Sequence, residues 1–261
     1  MMAKERSVGR IMSGTFDGKT VVVTGGAGGG IGGAISRGLH EEGAEVVIVD
    51  IDERGAELAR QYGGRFIAAD LSSPAAGAAA VAAEVERLDG LVNAAGTLER
   101  KRFPELEQAE WERVISINAG APLFLIQALF ERFDRGGAIV NITSLEEKLP
   151  IALMQPRTTP IYAASKAGLG LLTKSLAPML GTRQVRINSV APGYTHTPLS
   201  APLRERAEPW TVAQTPLQRW AEPDEIADVV LFLLSDDARY VTGTSTKVDG
   251  GIALGPQKVS A

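Results

Sequence analysis

Apolar positions along this chain follow two rhythms. Short β-branched and aliphatic runs, such as Val21–Thr24 and Val46–Asp50, alternate with longer stretches in which apolar residues recur every three or four positions. Strand-like runs fall at 20–24, 46–50, 65–68, 90–93, 138–143, 185–190 and 245–248. Between them the spacing predicts helices over 31–42, 53–62, 74–88, 108–133, 162–180 and 223–234. Near-continuous apolar strands suit a parallel sheet covered on both faces. Strand and helix in regular alternation then predict an α/β fold: a single-domain, Rossmann-type doubly wound parallel sheet with helices on both faces. No linker or repeat interrupts the rhythm, so one domain is expected over 16–261, after a flexible tail over 1–15. Pro178 is expected to kink or shorten the helix that holds it.

Two segments break the pattern. Residues 145–161 hold Pro150, Pro156 and Pro160, and residues 194–223 hold Pro198, Pro202, Pro209 and Pro216. Both follow strands, and in such sheets ligands bind beyond the carboxyl ends of the strands. Both are therefore expected to shape a pocket. Leu145, Leu149, Leu153 and Met154 offer it apolar surface, and Glu146, Glu147, Lys148 and Arg157 offer polar handles. Leu199, Leu203 and Trp210 are expected to cover it. His196 is expected either to meet substrate or to hold its own loop.

Composition narrows the partners. The 261 residues include 27 basic and 31 acidic side chains, a net charge of −4, which argues against nucleic acid or an anionic membrane as partner. There is no cysteine and there are two histidines, His40 and His196, so disulfides, thiolate chemistry and an imidazole-built zinc site are not expected. The first residues lack an apolar signal core, and no apolar run reads as a membrane span. The expectation is a cytoplasmic protein with no metal and no membrane partner.

The segment TVVVTGGAGGGIGGAI (Thr20–Ile35) reads as strand, glycine cluster, helix. Glycines let the backbone approach a pyrophosphate, while the helix N-terminus supplies free N–H groups and a positive dipole. Gly25, Gly29, Gly30 and Ile31 are the candidate contacts. Asp50 closes the second strand, where a carboxylate accepts hydrogen bonds from a ribose 2′-hydroxyl and repels a 2′-phosphate. Ile51 follows it, with no basic side chain expected nearby. NAD is therefore the expected cofactor. Downstream, YAASK places Tyr162 and Lys166 on one helical face. An adjacent ammonium is expected to lower the phenol's pKa, fitting Tyr162 for proton transfer.

Further motifs recur in order: Asp70 and Leu71, NAAG at Asn93–Gly96, Asn118 in the middle helix, ITS at Ile142–Ser144, PGYTHT at Pro192–Thr197, and VDGG at Val248–Gly251. With the glycine loop and YAASK they make the chain resemble the classical short-chain dehydrogenase/reductase family from about Phe16 to Gly251. The resemblance implies a catalytic set of Asn118, Ser144, Tyr162 and Lys166. Ser144 would bind the substrate oxygen, Lys166 the nicotinamide ribose, and Asn118 a water of a proton relay. Asp70 and Leu71 would lie at the adenine and Asn93 and Gly96 along the cofactor. Pro192, Gly193, Thr195 and Thr197 would pass under the nicotinamide. It also implies a homotetramer built through the 108–133 and 162–180 helices.

The implied activity is hydride transfer between NAD(H) and a small secondary alcohol or ketone, with polyols, sugar acids and cyclic alcohols all open. A 3-oxoacyl-thioester reductase and a non-catalytic NAD-binding scaffold stay open as alternatives. Three departures stand out. The glycine loop is one residue longer than the family pattern, Ala94 replaces a common Asn, and Ser144 and Tyr162 are eighteen positions apart.

Overall fold

The computed structural model of the protein describes residues 14–101, 103–148 and 159–255. Leu149, Leu153, Met154, Arg157 and most of the expected tail lie outside the described residues. Seven parallel strands run in the order β3-β2-β1-β4-β5-β6-β7. They are β1 (Thr20–Thr24), β2 (Glu45–Asp50), β3 (Arg65–Ala68), β4 (Leu88–Asn93), β5 (Phe133–Ile142), β6 (Arg186–Pro192) and β7 (Ser245–Val248). The order reverses between β1 and β4, which opens a crevice at their carboxyl ends.

Burial on both faces explains the apolar strands. Side chains along a strand alternate between faces. Val21 and Val23 of β1, with Val46 and Ile48 of β2, therefore join one core, while Val22, Val47 and Val49 join the other. Helices α1 (Ile31–Glu41), α2 (Arg54–Gln61) and α8 (Pro223–Leu234) cover the first face. On the second face lie α3 (Pro74–Glu84), α4 (Gln108–Ile115), α5 (Ala121–Leu129) and α6 (Pro160–Gly181). At the end of α8 the buried Arg186 guanidinium donates to the carbonyls of Leu233, Leu234 and Ser235 at 2.6, 3.1 and 3.0 Å. That satisfies acceptors which a helix terminus leaves open.

Three expectations need correction. The single helix expected over 108–133 is α4 and α5 joined by a π-helical turn at Ser116–Gly120, which holds Asn118. The run Gln108–Arg132 is also long and apolar enough to cross a membrane, contrary to the expectation from sequence. Here it packs on α3 and α6, as a core helix does. Pro178 does not shorten α6, which continues to Gly181. A proline lacks only its own N–H, so a single backbone bond is forfeited near the end of the helix.

The segment 194–223 is not irregular throughout. It contains α7 (Ala201–Gln214), with Pro202 in the first turn, where a missing N–H costs nothing. Pro209 lies inside that helix, and nearby the Thr211 hydroxyl donates to the carbonyls of Ala207 and Glu208 at 3.0 and 2.9 Å. Leu203 packs toward Leu145, Tyr194 and Trp220, whereas Leu199 and Trp210 are exposed on the surface.

Candidate active site

The crevice is assembled from strand ends. Gly25 follows β1 with φ of +70°, and a Cβ there would stand 2.8 Å from the Ala95 backbone, so the β1 and β4 ends can meet only through glycine. Thr24, which the sequence reading left without a role, fixes that meeting. Its buried hydroxyl oxygen accepts N–H bonds from Ala94 and Ala95, both at 3.1 Å. Thr24→Val should cost about 1–3 kcal/mol, the usual penalty for unpaired buried donors. Urea unfolding checks this, and an unchanged midpoint would contradict the assignment.

The enlarged glycine loop divides its labour. A Cβ on Gly33 would lie 1.9 Å from the Gly28 carbonyl, and one on Gly32 would lie 2.2 Å from the Gly25 carbonyl. Those two glycines let α1 close on the loop. By contrast, Cβ atoms on Gly28 or Gly29 would meet nothing within 4 Å, so the open crest is Gly28–Gly29, leading into Gly30. No side chain caps α1 and no acidic residue stands in its first turn. The free N–H groups and helix dipole are thus arranged for an anion. The cradle fits a dinucleotide pyrophosphate.

Asp50 stands at the far side of that loop. Its Oδ2 accepts the Ala27 N–H at 3.0 Å and its Oδ1 the Asp52 N–H at 3.1 Å. It therefore shapes the loop as well as charging it. Contrary to the expectation, a guanidinium is nearby: Arg54 feels the Asp50 charge. It is held by Asp52, with Nε donating at 2.8 Å and a second bond from NH2.

Several other expected contact residues also have packing roles. Leu71 is buried in the second core, and only the exposed Asp70 reaches solvent, its carboxyl held below the usual range by the Ser72 N–H. Asn93 is buried, and its Nδ2 donates to Asn141 Oδ1 at 2.8 Å, cross-linking β4 to β5. Pro192 is buried, Gly193 is pressed against the Asp249 backbone, and the buried Thr195 hydroxyl donates to the Gly193 carbonyl. Thr197 does face the crevice: a Cβ on Gly30 would lie 3.8 Å from it. His196 holds its own loop, with Arg204 at 3.3 Å, Glu222 at 3.9 Å and its ring 5.4 Å from that of Trp220.

The catalytic candidates do converge. Ser144 follows β5, and Tyr162 and Lys166 lie in the first turns of α6. Lys166 Nζ stands 5.7 Å from the centre of the Tyr162 ring and donates to the Ile142 carbonyl at 2.7 Å. Burial lowers the Lys166 pKa to about 8. Asn118 is fully buried in the π turn; its Oδ1 accepts the Thr97 N–H at 2.8 Å, and its Nδ2 donates to the Thr97 carbonyl and Ser165 Oγ, both at 2.9 Å. A Cβ on Gly96 would stand 3.5 Å from both Asn118 Oδ1 and Lys166 Nζ, so these two groups share one small space.

Electrostatics at Tyr162 run opposite to the sequence expectation. Tyr162 is half-buried, and the loss of water around its phenol pushes the pKa up. The Glu146 charge adds to that, the neighbouring Ser144 hydroxyl opposes it, and Glu99 raises it further. The Lys166 ammonium is instead bonded to the Ile142 carbonyl. Glu99, which sequence reasoning missed, accepts the N–H groups of Ile161 and Tyr162, each at 3.1 Å. Nothing in its local sequence reveals this, because the contact spans more than sixty residues.

Comparison with known proteins places this geometry. The enoyl-(acyl carrier protein) reductase family model matches residues 26–253. The chain is 39% identical over 251 residues to cis-4-hydroxycyclohexanecarboxylate dehydrogenase of Sinomonas cyclohexanicum, covering 92% of this chain and 98% of that one. A Brucella melitensis short-chain dehydrogenase/reductase structure, described as a glucose/ribitol dehydrogenase, superposes with a TM-score of 0.83 at 34% identity, covering 92% and 99%. The chain belongs to the short-chain dehydrogenase/reductase family. A further similar structure is that of a blue fluorescent protein from a metagenomic library in complex with NADPH. It has a TM-score of 0.82 and 35% identity, covering 91% of this chain and 98% of that one. As in other short-chain dehydrogenases/reductases, the chemistry expected of the chain is oxidoreduction at CH–OH and C=O groups, with a nicotinamide cofactor.

Proposed function

We propose that this protein is an NAD-dependent dehydrogenase of a small secondary alcohol, with Tyr162 as general acid and base. The observation that carries the reading is the convergence of Ser144, Tyr162 and Lys166 beside a glycine crest built for an anion. Gly28–Gly30 and the α1 N-terminus would hold the pyrophosphate, Asp50 the adenosine ribose, and Lys166 the second ribose. A bound nicotinamide supplies the hydride partner and, when oxidised, a positive charge near the phenol. Tyr162 holds or gives up the proton at the substrate oxygen. Ser144 Oγ accepts the Glu146 N–H at 3.2 Å, which leaves its own O–H to donate to that oxygen. Asn118 and Lys166 adjoin each other as a route for the proton.

The dehydrogenase named for a cyclic hydroxy acid and the neighbour described as a glucose/ribitol dehydrogenase support a cyclic alcohol or polyol as substrate. Trp111, Phe124, Leu171 and Met179 expose apolar surface on α4, α5 and α6. That supports assembly into a homotetramer through this face.

The test is a panel of secondary alcohols and ketones followed at the nicotinamide absorbance, with NAD and NADP compared. NAD should be preferred. Asp50→Asn keeps an oxygen for the Ala27 N–H but removes the charge, so it should shrink the NAD-over-NADP ratio in kcat/KM about tenfold. A wild-type preference for NADP, or a ratio unmoved by Asp50→Asn, would refute the assignment of Asp50.

A further inference from the structure

Glu146 and Glu147 are sequence neighbours with opposite fates. Glu147 turns into the packing between α6 and β7, where its Oε1 accepts the Ser245 hydroxyl at 2.6 Å and its Oε2 lies against Gly170. The charge of Glu146, by contrast, reaches the Tyr162 phenol. Glu146 is buried, 8% exposed, and its Oε2 accepts the Thr159 hydroxyl at 2.9 Å. Its Oε1 has no partner among the described residues and is not sealed off. Its backbone is also fixed, because its N–H donates to Ser144 Oγ at 3.2 Å.

The second carboxylate near the phenol differs. Glu99 spends both oxygens on the N–H groups of Ile161 and Tyr162. Of the two carboxylates whose charge reaches Tyr162, Glu146 is the one with an acceptor to spare. An accessible acceptor beside Ser144 can take a hydrogen bond from a molecule held there.

We propose that Glu146 is a specificity-determining residue that accepts a hydrogen bond from a hydroxyl on the carbon next to the reacting one. The protein would then select vicinal diols and α-hydroxyketones over simple secondary alcohols. The proposal rests on the hydride-transfer reading above. The contacts support the placement: the Glu146 N–H is bonded to Ser144 Oγ and its charge reaches the Tyr162 phenol, so its carboxyl adjoins the two groups that would hold the substrate oxygen. A hydroxyl suits this carboxyl better than an ammonium does. Burial raises the Glu146 pKa to about 7, so near neutrality both forms are present. A hydroxyl can donate to the ionised form and accept from the protonated one, whereas an ammonium pairs only with the former. A carboxylate on the neighbouring carbon would face the charges of Glu146 and Glu99 and be repelled.

The experiment compares kcat/KM for butane-2,3-diol against butan-2-ol, and for cyclohexane-1,2-diol against cyclohexanol. 3-Aminobutan-2-ol and lactate serve as the cationic and anionic arms. The wild-type protein should favour each diol over its mono-alcohol by about tenfold or more, since a site built to bond a hydroxyl rejects the analogue lacking it. In Glu146→Leu that ratio should fall toward one, while Glu146→Gln, which keeps an acceptor oxygen, should retain part of it. The ratio isolates the contact, because any general effect on Tyr162 acts on both substrates alike. Equal wild-type rates for diol and mono-alcohol would overturn the proposal while leaving hydride transfer intact. So would a diol preference surviving in Glu146→Leu, or a preference for the amine or for lactate. If no alcohol or ketone is turned over although the dinucleotide binds, the hydride-transfer reading fails first, and this assignment with it.

Discussion

Tyr162→Phe is expected to lower kcat by about 10²–10⁴, the range general acid–base catalysis supplies, with dinucleotide binding retained. The substitution removes one oxygen and keeps the ring that lies beside Lys166. The loss should be large because neither Lys166 nor Ser144 is placed to replace the phenol. Lys166 is committed to the Ile142 carbonyl, and the Ser144 hydroxyl is too weak an acid or base for the task. Nor should raising the pH rescue the variant. The readout is steady-state turnover of the best alcohol from the panel, beside NADH binding followed by its fluorescence. Retained turnover would remove Tyr162 from the mechanism. Lost NADH binding would show that the phenol serves the cofactor site instead.

The second large effect concerns stability and pH. Burial, partly offset by the Thr159 hydrogen bond and aided by the Glu99 charge, raises Glu146 from 4.5 to about 7. Between those values the folded protein keeps a proton that the unfolded chain has released. Folding stability therefore falls as pH rises through this window, and the loss is complete just above pH 7. At 1.36 kcal/mol per pH unit the loss is about 3 kcal/mol. Glu146→Gln removes the titration, so urea unfolding should find the variant gaining on wild type by about that amount between pH 4.5 and 8. A difference between the two proteins that stays constant over that range would show that the buried carboxyl is not the source.

Much of the fold was readable because its cause is local. An apolar strand such as Val46–Asp50 announces burial on both faces, and glycines between a strand and a helix announce a backbone that must come close to something. Partners brought together from distant segments were hidden. Glu99 at the Tyr162 backbone and Asn93 on Asn141 are contacts between segments that no local pattern connects. The packing duties of motif residues were also hidden, as with Leu71 in the second core and Gly193 against Asp249. The helix over 201–214 was masked by its prolines, whose effect depends on where each falls along the helix. The phenol's proton affinity was misjudged for a different reason. A spacing argument counts a lysine four residues away but not the loss of water around the ring.

The π-helical turn at Ser116–Gly120 has a consequence for how the middle of the chain tolerates change. An α-helix advances about 100° per residue, so one additional residue in a single turn rotates everything after it by that angle. The apolar stripe of α4 and that of α5 are thus out of phase by design, and a helical wheel drawn straight through 108–132 misassigns the second half. Lengthening or shortening the turn by one residue would swing Phe124 and its neighbours around the axis while also pulling Asn118 from Thr97 and Ser165. The exposed apolar surface of α5 and the seat of Asn118 beside Lys166 are therefore set by the same mechanical phase, and neither can drift without the other.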